Sequence, residues 1–440
     1  MKPRYGVAPF AILTFIYFIV GFLTTINGQF QGPLQVTFLS EVEGLRNTLI
    51  TLIPFFFFLG YLLNSSVGGF WLDKHGYKVT LMRALLFMIG GMLFYLLSAV
   101  VATYNGDWGV YIGRDYVPWG YFVFLLGSFL MGTSAAVAQV VINPYVNNYP
   151  LPGTQAVQRM SICGALNSFG TTIAPFFVTG VLFAGVSLSS VTSEQLILPF
   201  IILTLFLLVI IAIVFRLTLP NIEGTSSGEG YKSTRSVWSF RHLRWGVITI
   251  FFYVGGEVAI GVNVNLHAME LIDKGTPLLL FGSDNLVISG LELGIPALLA
   301  TLYWGGLFVG RTTSSFISHI SARTQLVFTS VLAVVLTIIA IFTQNLWVLV
   351  SVGLSHSIMW GAVYTLATKS LGEYTSKASG LFMMGVFGGA IVPLFQGYLS
   401  DSWGSWQMTW GIVVVCELVI LFYALVGSRV RKSDIMVNKC

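Results

Sequence analysis

Twelve apolar runs, each long enough to cross a bilayer as a helix, follow one another along the 440 residues. They cover roughly 8–38, 46–70, 79–103, 119–147, 157–186, 195–217, 243–269, 290–316, 323–343, 345–369, 376–400 and 406–428. A hydrocarbon core about 30 Å thick takes about twenty residues of helix. In that medium every backbone N–H and C=O has to be satisfied within the segment, which leaves only helices and closed barrels. The ten-residue alternation of a barrel strand is absent, so the chain reads as an all-α membrane protein. Charge agrees, because only 9% of the residues are Asp, Glu, Lys or Arg, against about 25% in a soluble domain. The apolar run behind Lys2 and Arg4 is too long for a signal peptide and is followed by no small-residue cleavage site, so it reads as a retained first span.

The distribution of basic residues predicts the topology. With the N-terminus inside, the cytoplasmic segments collect Lys2, Arg4, Lys74, Lys78, Arg83, Arg159, Lys232, Arg235, Arg241, Arg244, Arg323 and Arg429, while the outer loops hold Arg46, Arg114 and Lys274. This asymmetry accounts for the net charge of +5 and places both termini on the cytoplasmic side of a cytoplasmic (inner) membrane. The charges are scattered over loops and form no patch for nucleic acid, so the expected surroundings are lipid. Cys163, Cys416 and Cys440 supply neither a disulfide framework nor a metal site.

Residues 218–241, TLPNIEGTSSGEGYKSTRSVWSFR, are polar, basic and rich in Gly and Ser. They read as a cytoplasmic linker between an N-terminal six-helix bundle (1–217) and a C-terminal one with a short tail (242–440). A second long connection, 270–290, reads as a partly apolar external loop. GFWLDKHG (69–76) after the second span and GYLSDSWG (397–404) after the eleventh share the pattern G-x-x-x-D-x-x-G. They sit at equivalent places on opposite sides of the membrane, as expected of inverted three-helix repeats nested in two halves. The first copy, with Gly69, Asp73, Lys74, Gly76 and Lys78, resembles the signature loop of the major facilitator superfamily. That resemblance implies a latch for one conformation of an alternating-access cycle.

Six further stretches, INPYVNNYP (142–150), RMSICGALNSFGTTIAP (159–175), FFYVGGEVAIG (251–261), LYWGGLFVGR (302–311), HSIMWGAVYTLATKSLG (356–372) and SGLFMMGVFGGAIVPLFQGYLSD (379–401), narrow the resemblance. Together they are similar to the fucose–proton symporter family and nearest in pattern to its glucose/galactose transporter branch. The resemblance implies a twelve-helix facilitator that carries monosaccharides, driven by a cation gradient. Fucose-type members carry an Asn-Asp pair in the first helix, where this chain has Asn27 and Gly28. They carry a glutamate four residues before the Asn-Pro of the fourth helix, where this chain has Gln139. Of the amide positions in their fifth helix, Asn167 is kept, while Ser161 and Gly164 replace the others. Both proton-carrying carboxylates of the fucose type are therefore missing from the N-terminal half.

Sugar hydroxyls call for groups that donate and accept hydrogen bonds, and for aromatic faces against the C–H side of the ring. The substrate candidates are Asn27 and Gln29 in the first helix, Gln139 and Asn143 in the fourth, Asn167 in the fifth, Asn263 in the seventh, and His356 with Trp360 one turn on in the tenth. The same amides also serve as interhelical glue, each bond contributing about 1 kcal/mol. Glu257, alone in the apolar seventh span, is the candidate for cation coupling. An ionised acid at the bilayer centre costs at least about 2.5 kcal/mol, so it must face water, a cation or a donor, or else keep its proton. Arg311 is placed several turns away, near the cytoplasmic end of the eighth span. The chain reads as a monomeric importer of a neutral hexose or N-acetylhexosamine that works by alternating access. It has no cofactor, with a proton or sodium as coupling ion, and no enzyme's paired acids or metal cluster. The alternatives are an uncoupled uniporter and a non-transporting membrane sugar sensor.

Overall fold

The computed structural model describes residues 7–149, 151–152, 156–183, 191–216, 236–288, 291–314, 320–371 and 375–431. Most of the linker, 217–235, lies outside them, as does the side chain of Asp73. Ten helices among the described residues are long and apolar enough to cross a membrane. In chain order they are α1 (Val7–Phe38), α2 (Arg46–Leu72), α3 (Lys74–Tyr104), α4 (Trp119–Asn143, helical to Asn148), α6 (Ser193–Arg216), α7 (Arg241–Asp273), α9 (Ala322–Thr343), α10 (Leu346–Ala367), α11 (Leu381–Trp403) and α12 (Gln407–Gly427). The less apolar α5 (Ala156–Phe177) and α8 (Ile295–Ser314) complete the twelve.

Local chemistry explains the breaks. Pro33 cannot donate to the carbonyl four residues back, and α1 is interrupted at Phe30. The turn from α2 to α3 falls at Gly76, whose φ of 75° suits glycine and strains other residues. At the turn into α10, Asn345 Oδ1 accepts from the N–H groups of Trp347 and Val348 at 2.9 and 3.3 Å, an N-cap next to Gln344 in the left-handed region.

Two short hairpins lie at one end of the bundle. One pairs β1 (Gly109–Ile112) with β2 (Asp115–Pro118), and the other pairs β3 (Asn285–Ile288) with β4 (Leu291–Gly294). The second revises the expectation of a plain loop over 270–290 and of a span beginning at 290. The helix α7 runs on to Asp273, and α8 begins only at Ile295, with Pro296 in its first turn where a missing N–H costs nothing.

The two halves meet closely at the hairpin end. Asp401 on α11 accepts from the N–H groups of Asn47 and Thr48 at 3.0 and 2.6 Å, and from the Thr48 hydroxyl at 2.6 Å. It thus caps the N-terminus of α2, where free N–H groups and the helix dipole favour an anion. One turn earlier, Gly397 lies so close to α2 that an added Cβ would stand 2.6 Å from the Asn47 carbonyl oxygen. Between α1 and α7 the fit is equally tight. A Cβ on Gly28 would stand 2.3 Å from Val262, and Gln29 Nε2 donates to the Gly261 carbonyl at 3.4 Å.

The opposite end carries the N-terminus and the flanks of the linker. Added Cβ atoms at Gly69, Gly164 and Gly361 would meet nothing within 4 Å. In the first copy of the repeated motif, Lys78 Nζ donates to the Phe215 carbonyl of its own half at 2.9 Å. The second copy thus grips the other half, while Lys78 of the first bonds within its own.

Removing an N-cap acceptor costs about 0.5–2 kcal/mol, so Asp401→Ala is expected to shift the equilibrium towards opening at the hairpin end by about tenfold. Spin labels at Tyr111 and Val287, one on each hairpin, would read this as a larger long-distance population. An unchanged distance distribution would remove the latch role from Asp401.

Candidate functional site

At mid-depth of the C-terminal half, α7, α8, α10 and α12 converge on a set of polar side chains inside an apolar surround. From Tyr253 to Ala268 every residue of α7 is buried, Glu257 among them. Tyr253, one turn before it on the same face, donates its hydroxyl to Glu257 Oε1 at 2.9 Å and to the His356 carbonyl at 3.0 Å. Arg311 Nη2 lies 3.5 Å from the same carboxylate oxygen. Arg311 lies in the last turn of α8 as expected, yet beside Glu257, which corrects the separation of several turns between them. Each residue stands sixteen positions from the hairpin-end terminus of its helix, Asp273 for Glu257 and Ile295 for Arg311. Equal rise on antiparallel neighbours brings them level, about 24 Å down.

Arg311 also reaches the other half, with Nη1 donating to Ser168 Oγ on α5 at 2.5 Å. The α5–α8 seam around that bond holds Phe169 and Phe308, whose ring centroids are 5.9 Å apart. Glu257 therefore has a cation beside it, and that cation spans the boundary between the halves.

A second carboxylate, Glu417 on α12, was not singled out in the sequence. Its Oε1 lies 2.6 Å from His356 Nε2, and both side chains are fully buried. The other ring nitrogen of His356, Nδ1, is 2.6 Å from the Tyr303 hydroxyl. Glu417 Oε2 is buried with no hydrogen-bond partner. Gly256 makes room for this arrangement, since a Cβ there would stand 3.4 Å from Cys416 Cβ and 3.8 Å from Glu417 Oε1.

The sugar candidates separate into three groups. Asn27, Asn167 and His356 are committed within their own halves. Asn27 Oδ1 accepts from Tyr95 and from Ser128, the latter at 2.6 Å, and Asn167 Nδ2 donates to the Tyr17 carbonyl at 2.8 Å. For His356 the expectation of a ring turned towards sugar is corrected, because protein groups take both nitrogens. Gln29 and Asn263 belong to the closed α1–α7 region. Asn263 Nδ2 donates to Gln396 at 2.9 Å, and Gln396 donates to Thr409 at 3.1 Å. Gln139, Asn143 and Trp360 are half-buried. Gln139 donates to the Tyr61 hydroxyl at 2.9 Å, and Trp360 packs its edge on Tyr253 and Phe382. Asn263 Oδ1, Asn265 Oδ1 and Trp304 Nε1 are among the buried polar atoms on α7 and α8 without a hydrogen-bond partner. Buried groups of this kind are rare in native proteins and are satisfied by water or ligand. Trp304 lies against Gly261, one turn from Asn265.

Residues 13–393 match the family model of the Major Facilitator Superfamily. The chain belongs to the Major Facilitator Superfamily. It is a multi-pass membrane transporter and not an enzyme. Among its relatives, a glucose/galactose transporter of Brucella abortus is 30% identical over 97% of this chain and 96% of its own length. The L-fucose–proton symporter of Escherichia coli is 23% identical over 97% of this chain and 95% of its own. The twelve-helix architecture in two pseudo-symmetric bundles recurs in solved structures. A variant of the E. coli fucose:proton symporter superposes with a TM-score of 0.66 at 22% identity, covering 97% of this chain and 100% of that one. An inward-open xylose transporter of E. coli does so with 0.69 at 12% identity, covering 98% of each.

Breaking a buried ion pair from one side costs about 3–5 kcal/mol, because it strands the partner's charge. Arg311→Met is therefore expected to lower the unfolding temperature in detergent far more than Glu257→Gln with Arg311→Met together. Additive losses in the double variant would mean that the two side chains do not share an interaction.

Proposed function

We propose that the protein imports a neutral monosaccharide, a hexose or N-acetylhexosamine, by alternating access and couples that import to a cation gradient. The observation that carries this reading is the inequality of the two ends. One is sealed by Asp401, Gly397 and the α1–α7 contact, while at the other Lys78 of the matching motif bonds to Phe215 within its own half. A channel has no use for such paired gates, but a carrier that opens to one side at a time depends on them. With both termini in the cytoplasm, as the basic residues imply, the hairpins are external and this conformation is shut to the outside.

Monosaccharide as the cargo is supported by the glucose/galactose and L-fucose transporters among the relatives. The unpartnered amide and indole atoms on α7 and α8, with the half-buried Gln139, Asn143 and Trp360, supply the donors, acceptors and aromatic face a sugar needs. Neutrality follows from Arg311 being held by Glu257 and Ser168, which leaves it poorly disposed to take a sugar acid. In this reading 1–217 and 242–440 are the rocking units, joined by 218–241. Coupling belongs to the C-terminal cluster around Glu257, because the first helix carries no carboxylate.

Proteoliposome uptake of a panel of labelled sugars tests the reading, with a pH gradient and a sodium gradient imposed separately. Accumulation of a neutral hexose or N-acetylhexosamine above its outside concentration, under one of the two gradients, is expected. Exchange without accumulation under either gradient would make the protein a uniporter. Neither exchange nor accumulation with any sugar would overturn the assignment.

A further inference from the structure

We infer that the Glu417–His356 pair is the proton-binding site of the transport cycle. The inference rests on the coupled-transport reading above and names its ion and its carrier.

The argument starts from charge. Among the buried groups where α7, α8, α10 and α12 meet, Glu257 has Arg311 as its counter-charge. Among the described residues Glu417 has His356 as its hydrogen-bond partner, at 2.6 Å, and both side chains have no exposed surface. One carboxylate oxygen, Oε2, has no hydrogen bond at all. A carboxylate shut away from water with a bare oxygen and a neutral imidazole would be an uncompensated buried charge. The pair escapes this by holding one proton, as imidazolium facing carboxylate or as carboxylic acid facing neutral imidazole. In both forms it is neutral overall. In both forms Nδ1 carries a hydrogen, and the Tyr303 hydroxyl is placed to accept it.

The proton enters from water on one side of the membrane and leaves to water on the other, with no other bond made or broken. Exchange with water cannot happen in the sealed arrangement, so it requires the helices to part. The groups that face the pair are Tyr253 and Glu257 on α7, Tyr303 and Arg311 on α8, and Cys416 on α12. Arg311 alone among them is tied to the other half, through Ser168. Rocking of the halves therefore moves a cation relative to both carboxylates, and moves Tyr253, which bridges Glu257 to the His356 carbonyl. The proton's hold on the pair changes with that movement, which is what coupling requires.

The chemistry selects a proton over sodium. Hard cations gather several oxygen ligands, whereas Glu417 meets one imidazole and the nearby Tyr303 hydroxyl is engaged by the far nitrogen of that ring. Among the described residues no group of three or more His, Cys, Asp or Glu side chains could hold a metal.

The experiment compares wild type, Glu417→Gln and His356→Gln in proteoliposomes containing a pH-indicator dye, using a sugar that the wild type accumulates. In wild type, sugar influx is expected to carry protons inward. In both variants a pH gradient should no longer concentrate sugar, with the accumulation ratio falling to unity. Sugar counterflow should persist and lose its pH dependence, which a merely structural defect would not produce. Glu257→Gln, measured beside them, should keep some proton movement. If wild type moves protons with sugar and both variants still accumulate, the pair is not the carrier and symport stands. Sodium-driven accumulation without proton movement also overturns the inference while leaving coupled transport intact. No gradient-driven accumulation in wild type would instead remove the coupling reading itself. If Glu417→Gln does not fold, His356→Gln, which keeps an amide donor towards Glu417, decides the question alone.

Discussion

A carboxylate taken into hydrocarbon must be neutralised by a cation or by a proton, and the C-terminal half is built around two solutions of that problem. Glu257 takes the first, with Arg311 level with it on the antiparallel neighbour and Tyr253 beneath it. Glu417 has the imidazole of His356 beside it. The two sites are joined through Tyr253 and the His356 carbonyl, so neither can move far without the other. Gly256 faces α12 at this point, and a Cβ there would sit in van der Waals contact with Cys416 and Glu417.

The halves are joined by few polar contacts, and their placement decides which end is shut. Asp401 at the N-terminus of α2 is a charge on a dipole, so it holds only while α2 and α11 touch. Gly397 permits the approach that makes the contact possible, and the pair Gly397 and Asp401 repeats the spacing of Gly69 and Asp73. An inverted repeat thus puts the same short sequence pattern at both ends.

The apolar runs made most of the fold legible, since length and burial in lipid leave a helix little choice. The repeat pointed to Gly397 and Asp401, although the latch role was assigned to the first copy alone. What stayed hidden was pairing. Glu417 sits in GIVVVCELVILF, as isolated among apolar residues as Glu257, and the same desolvation argument would have found it. His356 looked like cavity lining because a sequence shows no partner across sixty residues. Arg311 was set several turns from Glu257 because its depth was judged along α8 alone, and the hairpin of β3 and β4, which delays the start of α8, was not foreseen. Amides were the least readable. Asn27 is buried, while Asn167 and Gln139 are half-buried, all three bonded within their own half, and none of this shows in the residue type.

Loss of the N-terminal carboxylates of the fucose type does not by itself remove the means of coupling. The first helix carries Asn27, tied to Tyr95 and Ser128, and the fourth carries Gln139, tied to Tyr61. These neutral groups can bind and pack but cannot carry a proton across the cycle. The C-terminal half holds both buried acids, and its arginine is the one that grips the opposite half. A chain that places its titratable groups on one side of the central boundary still links them to motion, provided one charged side chain crosses it. Arg311, bonded to Ser168 on α5 and Glu257 on α7, is that side chain.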